Sequence, residues 1–220
     1  MTTRLRTRGG GRIDRSRPIR FTFDGKSYQG FAGDTLASAL IANGVHFVNR
    51  SYKYHRPRGF LSAGAEEPNA LFGVSRGPGR FAPNQRGTQV ALVEGLEATS
   101  QNRWPSLAVD VGAINDLMGR FYSAGFYYKT FMGPDLFGKN WAWKTIYEPI
   151  VREAAGIGQA PKDPDPDAYA QYYEHCDVLV IGAGPAGLAA AQAAAASGAQ
   201  VILCDEQEEM GGSLLAETRA

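Results

Sequence analysis

Residues Asp177–Asp205 read DVLVIGAGPAGLAAAQAAAASGAQVILCD, and the order of their parts decides how the C-terminal region folds. Val178 to Ile181 is a short apolar run bounded by turn signals, the pattern of a buried strand. Gly182-Ala183-Gly184-Pro185-Ala186-Gly187 follows as a glycine turn. Leu188 to Ser197 is mostly alanine with no β-branched residue, which is helix composition, and Gly198 stands where a helix C-terminus takes glycine. Val201-Ile202-Leu203-Cys204 is apolar without alternation, as expected of a parallel strand covered on both faces.

Strand, glycine turn, helix, strand and acid in this order point to a dinucleotide site. Gly182 permits the tight bend, Gly184 lets backbone approach a pyrophosphate, and Gly187 lets helix and strand pack closely. The free N–H groups and positive dipole end of the helix then face the anion. An acid about 20 residues on hydrogen-bonds the ribose hydroxyls; Asp205 lies 18 residues after Gly187, and Glu206 is the second choice. The candidate cofactor-binding residues are therefore Gly182, Gly184, Pro185, Ala186, Gly187, Asp205 and Glu206. An acid rather than an arginine favours NAD or FAD over NADP, whose 2′-phosphate it would repel. NAD is the first reading and FAD the alternative; the residues do not separate them.

The 220 residues hold one strand–helix–strand beginning of such a fold, whereas a dinucleotide fold needs two mononucleotide-binding halves. The chain therefore reads as truncated. Two strands and one helix leave bare sheet edges and an uncovered face, so this part is expected to be weakly stable unless further chain or a partner covers it.

Composition is that of an ordinary globular protein, 44% hydrophobic and 20% charged, and its net charge of +1 gives no global signal for a nucleic-acid or acidic partner. Cys176 and Cys204 are the only cysteines and form no CxxC pair, so buried free thiols are expected, as in a reducing compartment. No apolar run approaches a membrane span and no secretory signal core is present; the expected location is cytoplasmic. His46, His55 and His175 are too scattered for a metal site, and no catalytic grouping emerges.

Residues 1–17 carry six arginines around Gly9-Gly10-Gly11 and read as a disordered basic arm. Residues 18–105 read as a β-grasp domain. Ile19-Arg20-Phe21-Thr22-Phe23 alternates, Asp24-Gly25 is a hairpin turn, Lys26 to Gly30 returns, and a helix follows from near Asp34 to the cap at Asn43-Gly44. Further strands are expected near Ala70 to Val74 and Thr88 to Val93, with residues 94–105 extended. The loop after the helix holds a [2Fe–2S] cluster in ferredoxin-like β-grasp domains; here it contains no cysteine, so no iron–sulfur cluster is expected and the domain reads as structural or as a docking surface. Arg50, Lys53, His55, Arg56 and Arg58 interleave with Tyr52, Tyr54 and Phe60 there, and a contact surface for a partner subunit, or a solvated loop, is preferred over single-stranded nucleic acid.

Residues 106–160 form a connecting segment. Leu107, Val111, Ile114, Met118 and Phe121 recur at helical spacing and predict an amphipathic helix between Ser106 and Ser123. Phe126, Tyr127, Tyr128, Phe131, Phe137, Trp141, Trp143 and Tyr147 form an aromatic packing cluster, with a further helix near 140 to 155. Residues 161–175 are a linker around Lys162-Asp163-Pro164-Asp165-Pro166-Asp167, and residues 176–220 are the incomplete nucleotide unit. The fold class is an α+β β-grasp domain followed by the start of an α/β Rossmann-type dinucleotide-binding domain.

The strings Ser51-Tyr52-Lys53-Tyr54-His55-Arg56-Pro57-Arg58-Gly59 and Ser62-Ala63-Gly64-Ala65-Glu66-Glu67-Pro68-Asn69, with Trp104-Pro105-Ser106-Leu107 and the glycine motif, resemble the alpha subunits of heterotetrameric sarcosine oxidases. Gly211-Gly212 likewise resembles the paired glycines that follow the second strand in flavoproteins with two dinucleotide sites. The resemblance implies an NAD-binding subunit in a hetero-oligomer whose flavin-bearing beta subunit oxidises sarcosine to glycine, formaldehyde and hydrogen peroxide. It places the chemistry on that other subunit. Two other readings stand beside it: a non-catalytic docking module for a flavoprotein, and part of a related amine or imino-acid dehydrogenase.

Overall fold

In the computed structural model residues 5–6, 11–117, 119, 141–155 and 161–216 are described. The chain divides into two compact units, one of Met1–Arg6 and Asp14–Pro166, the other of Thr7–Ile13 and Asp167–Ala220.

The first unit is built on the expected hairpin. Strands β1 (Asp14–Phe23) and β2 (Lys26–Ala32) pair antiparallel, with Phe23 opposite Lys26 and Phe21 opposite Tyr28. Asp24 and Gly25 take φ of 46° and 75°, the left-handed pair that a two-residue turn between twisted strands requires. Alternation along β1 sends Phe21 and Phe23 into the core, where Phe23 meets Phe72 edge-on at 5.6 Å between ring centroids. β1 begins at Asp14, so residues 14–17, expected in the basic arm, belong to it; Arg6 of that arm is paired with the buried carboxylate of Asp34.

Helix α1 (Leu36–Ala42) follows through a capping box: the Thr35 hydroxyl accepts the Ser38 N–H at 3.1 Å and the Ser38 hydroxyl accepts the Thr35 N–H at 3.0 Å. Leu36, Ala39 and Leu40 are fully buried on its inner face. Two short strands, β3 (Asn49–Arg50) and β4 (Pro57–Arg58), make a small antiparallel ladder, and β5 (Leu71–Ser75), β6 (Phe81–Arg86) and β7 (Glu97–Ser100) complete the main sheet. Its order is β2-β1-β7-β5-β6, with β7 parallel to β1. A hairpin, a helix across the sheet and a last strand parallel to the first give the β-grasp arrangement.

Two expectations change here. The strand predicted at Thr88 to Val93 is not one: Val90 and Leu92 are buried in the core, but their backbone serves the start of α1, the Leu36 N–H donating to Val90 O and the Leu92 N–H to Asp34 O, both at 2.9 Å. The helix predicted over residues 106–123 is, where described, a single 3₁₀ turn (Val111–Ala113) and a four-residue helix α2 (Ile114–Leu117), with Val111, Ile114 and Leu117 exposed. Asp110 caps this helix by accepting the Gly112 N–H at 3.2 Å, which starts it five residues late. Helix α3 (Glu148–Ala155) follows a π-turn (Trp143–Tyr147) inside the predicted range. The aromatic residues from Phe126 to Phe137 lie outside the described residues.

The second unit contains β8 (Val178–Ile181), helix α4 (Pro185–Ala196) and β9 (Val201–Cys204), the strands parallel and in register from Val178 opposite Val201 to Ile181 opposite Cys204. Leu179 and Ile181 are 54% and 81% exposed and α4 buries no residue, the uncovered face expected of two strands and one helix, where the apolar run alone suggested cover on both sides. The thiols differ from expectation for the same reason: both are free, but Cys176 is half-buried and Cys204 is exposed. Among the described residues no helix is long and apolar enough to cross a membrane.

Candidate functional site

The turn from β8 into α4 is tied to the end of β9 at several points. Gly182, at φ +100°, donates its N–H to Cys204 O at 2.8 Å. Gly187 sits where the helix crosses this turn, and a Cβ there would lie 1.8 Å from Gly182 O, so only glycine allows the approach. A Cβ at Gly184, by contrast, would meet nothing within 4 Å. Gly184 is the extended N-cap residue of α4, and Pro185 occupies the first turn, where a missing N–H costs nothing. The first intrahelical donor is Leu188, whose N–H bonds Gly184 O at 2.9 Å. Ala186 and Gly187 precede it, in the part of a helix whose N–H groups have no carbonyl partner within the helix. The open side of Gly184 thus adjoins a positive helix end.

Asp205 is brought back onto this turn. Its Oδ2 accepts the N–H of the fully buried Ala183, and its Oδ1 accepts the Gln207 N–H at 2.8 Å. The Ala183 N–H first, and the Gln207 N–H after it, hold the Asp205 carboxyl below the ordinary aspartate value. The other side of the same residue is also held: Gly211 donates its N–H to Ala183 O at 2.8 Å. Gly212, at φ +54°, lies so close that a Cβ on it would be 3.0 Å from Gly184 Cα. Six of the seven sequence-derived residues are therefore brought together around one turn, and Glu206 follows with its side chain exposed. The grip on Ala183 was not foreseen; an acid at the strand end and a Gly-Gly pair are the only traces that it leaves in the sequence.

The basic aromatic loop carries a second constellation. His55, buried and at φ +52°, places Nδ1 2.6 Å from Asp110 Oδ2. Arg50 donates from Nη1 to His55 O at 2.6 Å and from Nε to Leu107 O at 3.0 Å. Arg56 and Lys53 lie over the Tyr54 ring at 4.8 and 5.0 Å from its centroid. Among the described residues no group of His, Cys, Asp and Glu is arranged to hold a metal ion.

Comparison with known proteins places these units. The sarcosine oxidase alpha subunit of Rhizobium meliloti (strain 1021) is 60% identical over 208 residues, which is 94% of this chain and 20% of that protein. The chain is a homologue of the alpha subunit of sarcosine oxidase. The alpha subunit from Corynebacterium sp. (strain U-96) is 34% identical over 93% of this chain and 16% of its own length. An opine oxidase subunit of Agrobacterium tumefaciens (strain Ach5) is 58% identical over 41 residues, 19% of this chain and 8% of that protein. This sarcosine oxidase alpha homologue spans about a fifth of the length of the Rhizobium relative.

Two family models match within it: a 2Fe-2S iron-sulfur cluster binding domain over residues 16–103 and an FAD dependent oxidoreductase over residues 177–220. The first corrects the expectation of no iron–sulfur cluster; of the two dinucleotide readings, NAD first and FAD as the alternative, the second match is described for FAD. The β-grasp unit is thus similar to an iron–sulfur cluster binding domain, and the nucleotide unit to an FAD dependent oxidoreductase. The expectation went astray by reading the family from its ligands, since the domain's fold is carried by the hairpin, α1 and β7. The residues present do not fit the cluster: the two cysteines are at 176 and 204, outside the matched stretch, and residues 16–103 offer no thiolate.

Proposed function

We propose that this chain is the dinucleotide-binding and scaffolding part of an oxidoreductase alpha subunit that works in a sarcosine-oxidising complex with a flavin-bearing beta subunit. The glycine turn takes the pyrophosphate of an adenine dinucleotide, FAD being the one for which the matched family is described. The observation that carries this is the contrast between Gly187 and Gly184. The first is glycine because backbone fills its Cβ position; the second has no such neighbour, and its glycine is explained by a ligand that needs the space. The N–H groups of Ala186 and Gly187, at the positive end of α4, are the donors that would hold the phosphates.

FAD, when bound, supplies two-electron redox chemistry. The residues of this chain bind and orient: the turn admits the pyrophosphate, and the helix dipole offsets its charge. Among the described residues no side chain near the turn is placed to act on an amine, and we place substrate oxidation on the partner subunit. The basic surface around Arg56 and Arg58 suits an acidic face of that partner.

Gly184→Val tests the reading. Calorimetric titration of FAD into the protein should show binding that the variant loses while its circular dichroism is unchanged. Binding that persists in Gly184→Val would remove the site from this turn, and binding of NAD alone would reassign the ligand.

A further inference from the structure

We propose that the exposed apolar stripe of Trp104, Val111, Ile114 and Leu117, rimmed by Arg56 and Arg58, is the surface on which this chain docks the flavin-bearing partner subunit, whose matching face is an apolar socket edged with carboxylates. This rests on the complex proposed above and deepens it.

The helical turns from Val111 to Leu117 are packed inside out. Their small and polar positions meet the loop between β3 and β4: a Cβ on Gly112 would run into His55 Nδ1, Asp116 Oδ1 accepts from Arg56 Nε at 2.7 Å, and a Cβ on Gly119 would lie 3.2 Å from Tyr54 Cε1. Positions 112, 116 and 119 share one side of a helix. Val111, Ile114 and Leu117, spaced by three, fall on the other side and are exposed, Leu117 by 79%. A surface helix ordinarily turns such residues toward the core, yet from this segment Leu107 alone packs against it.

The stripe is also held in place. Trp104, 69% exposed, donates its N–H to Asp110 Oδ1 at 2.8 Å and receives the Val111 N–H on its carbonyl at 2.8 Å. The indole and the first aliphatic side chain are thereby tied to one wholly buried carboxylate. An aromatic anchor with aliphatic neighbours is the composition of an interface centre, and a surface ordered before its partner arrives loses less entropy on binding.

Charge selects the occupant. Both carboxylates of residues 104–117 are already paired, Asp110 with Arg50 and His55 in the interior and Asp116 with Arg56. Arg56 keeps more than half of its side chain exposed and Arg58 is exposed, so the rim is positive. A second copy of this face would set like charge against like across a two-fold axis. Single-stranded nucleic acid answers the charge, but three aliphatic side chains give its bases nothing to stack on. A protein face with an apolar centre and an acidic rim answers both.

The test uses the full chain co-expressed with the flavin-bearing subunit, the complex being recognised by its mass and its flavin absorbance. Hydroxyl-radical footprinting should find Trp104 protected in the complex and reactive in the chain purified alone. Trp104→Ala should weaken association about thirtyfold, the effect of losing an interface anchor, and Ile114→Arg at least as much. Arg58→Glu should weaken it several-fold at low salt and little at high salt. Circular dichroism should be unchanged in all three, because the side chains are exposed. Undiminished association in both Trp104→Ala and Ile114→Arg would overturn the proposal. So would protection of Trp104 in the chain alone, which would mean that its own residues cover the stripe, or self-association that Ile114→Arg abolishes, which would give the surface to a second copy. If the unmodified chain retains no flavin-bearing subunit, the complex itself falls and the docking surface with it, a failure distinct from association that survives in the variants.

Discussion

His55 Nδ1 lies 2.6 Å from Asp110 Oδ2 across 55 residues of chain, with the Asp110 side chain wholly buried. The same oxygen is 3.4 Å from Arg50 Nε, and Asp110 Oδ1 accepts the Trp104 N–H at 2.8 Å. One carboxylate therefore joins the β3–β4 loop to the segment that leaves the β-grasp sheet. Asp110→Ala leaves the buried Arg50 guanidinium and two backbone donors without it, and is expected to cost about 3 kcal/mol. His55→Ala removes a single partner and is expected to cost about 1 to 2 kcal/mol. Urea denaturation of the two variants checks the order; equal midpoints would mean that Asp110 acts only through the histidine.

Glu67 is 1% exposed and has no cation beside it among the described residues. Its Oε2 accepts the Leu61 and Ser62 N–H groups, both at 2.7 Å, and its Oε1 those of Asn69 and Ala70 at 2.7 and 3.1 Å. Burial works to raise its pKa, but the four backbone donors outweigh burial and hold it below the ordinary 4.5. A carboxyl depressed in the folded state contributes stability that is present above its unfolded pKa and is lost as pH falls through the folded value. Glu67→Gln turns one acceptor into a donor facing two N–H groups and should cost about 2 to 4 kcal/mol near neutral pH. The gap from the unmodified protein should shrink on acidification below 4.5. Denaturation midpoints measured down a pH series would show it; a gap independent of pH would mean that the charge plays no part.

Arg6 donates from Nη1 to Asp34 Oδ1 at 2.9 Å, its other terminal nitrogen reaching Oδ2, and its guanidinium lies 5.0 Å from the Phe31 ring centroid. Asp34 keeps the Phe31 N–H at 2.9 Å and the Ser38 hydroxyl at 2.6 Å when the arginine is removed. Arg6→Ala is therefore expected to cost about 2 kcal/mol, the worth of hydrogen bonds to a charged group. Arg6→Lys should restore little, because the fork that meets both oxygens is lost. Thermal melts of the pair decide this, and full recovery in Arg6→Lys would reduce the contact to simple charge pairing.

What could be read in advance follows from the range of the interactions. The Phe21/Phe23 alternation with Asp24-Gly25 and the Val178–Asp205 order are local patterns with fixed periods, and both elements form as read. Val90 and Leu92 alternate equally well, yet their backbone bonds the start of α1, a choice made by tertiary packing. The burial of Glu67 has no local signal, because the donors that hold it, at residues 61, 62, 69 and 70, come from both sides of a loop closed only in three dimensions. Arg6 was read from the triple glycine near it, although its partner is 28 residues away. In the candidate site the glycines were legible from the spacing of the motif, although within the chain only Gly182, by its positive φ, and Gly187, by the backbone oxygen at its Cβ position, require glycine. The grip of Asp205 and Gly211 on Ala183 was not, because the backbone donor and acceptor of Ala183 leave no motif.

Gly187 and Gly184 should separate folding from binding. A Cβ at Gly187 would sit 1.8 Å from Gly182 O, backbone that cannot yield without moving β8, whereas one at Gly184 meets nothing within 4 Å. Gly187→Ala is expected to destabilise the nucleotide unit by about 2 to 3 kcal/mol through overpacking. Gly184→Ala leaves the unit folded, because its φ of −71° is open to any L-residue. Hydrogen exchange across β8 and β9 gives the readout in each variant. Protection should fall in Gly187→Ala and hold in Gly184→Ala; equal loss in both would mean that the turn tolerates no side chain for reasons of its own fold, and the argument from open space to a ligand would fail.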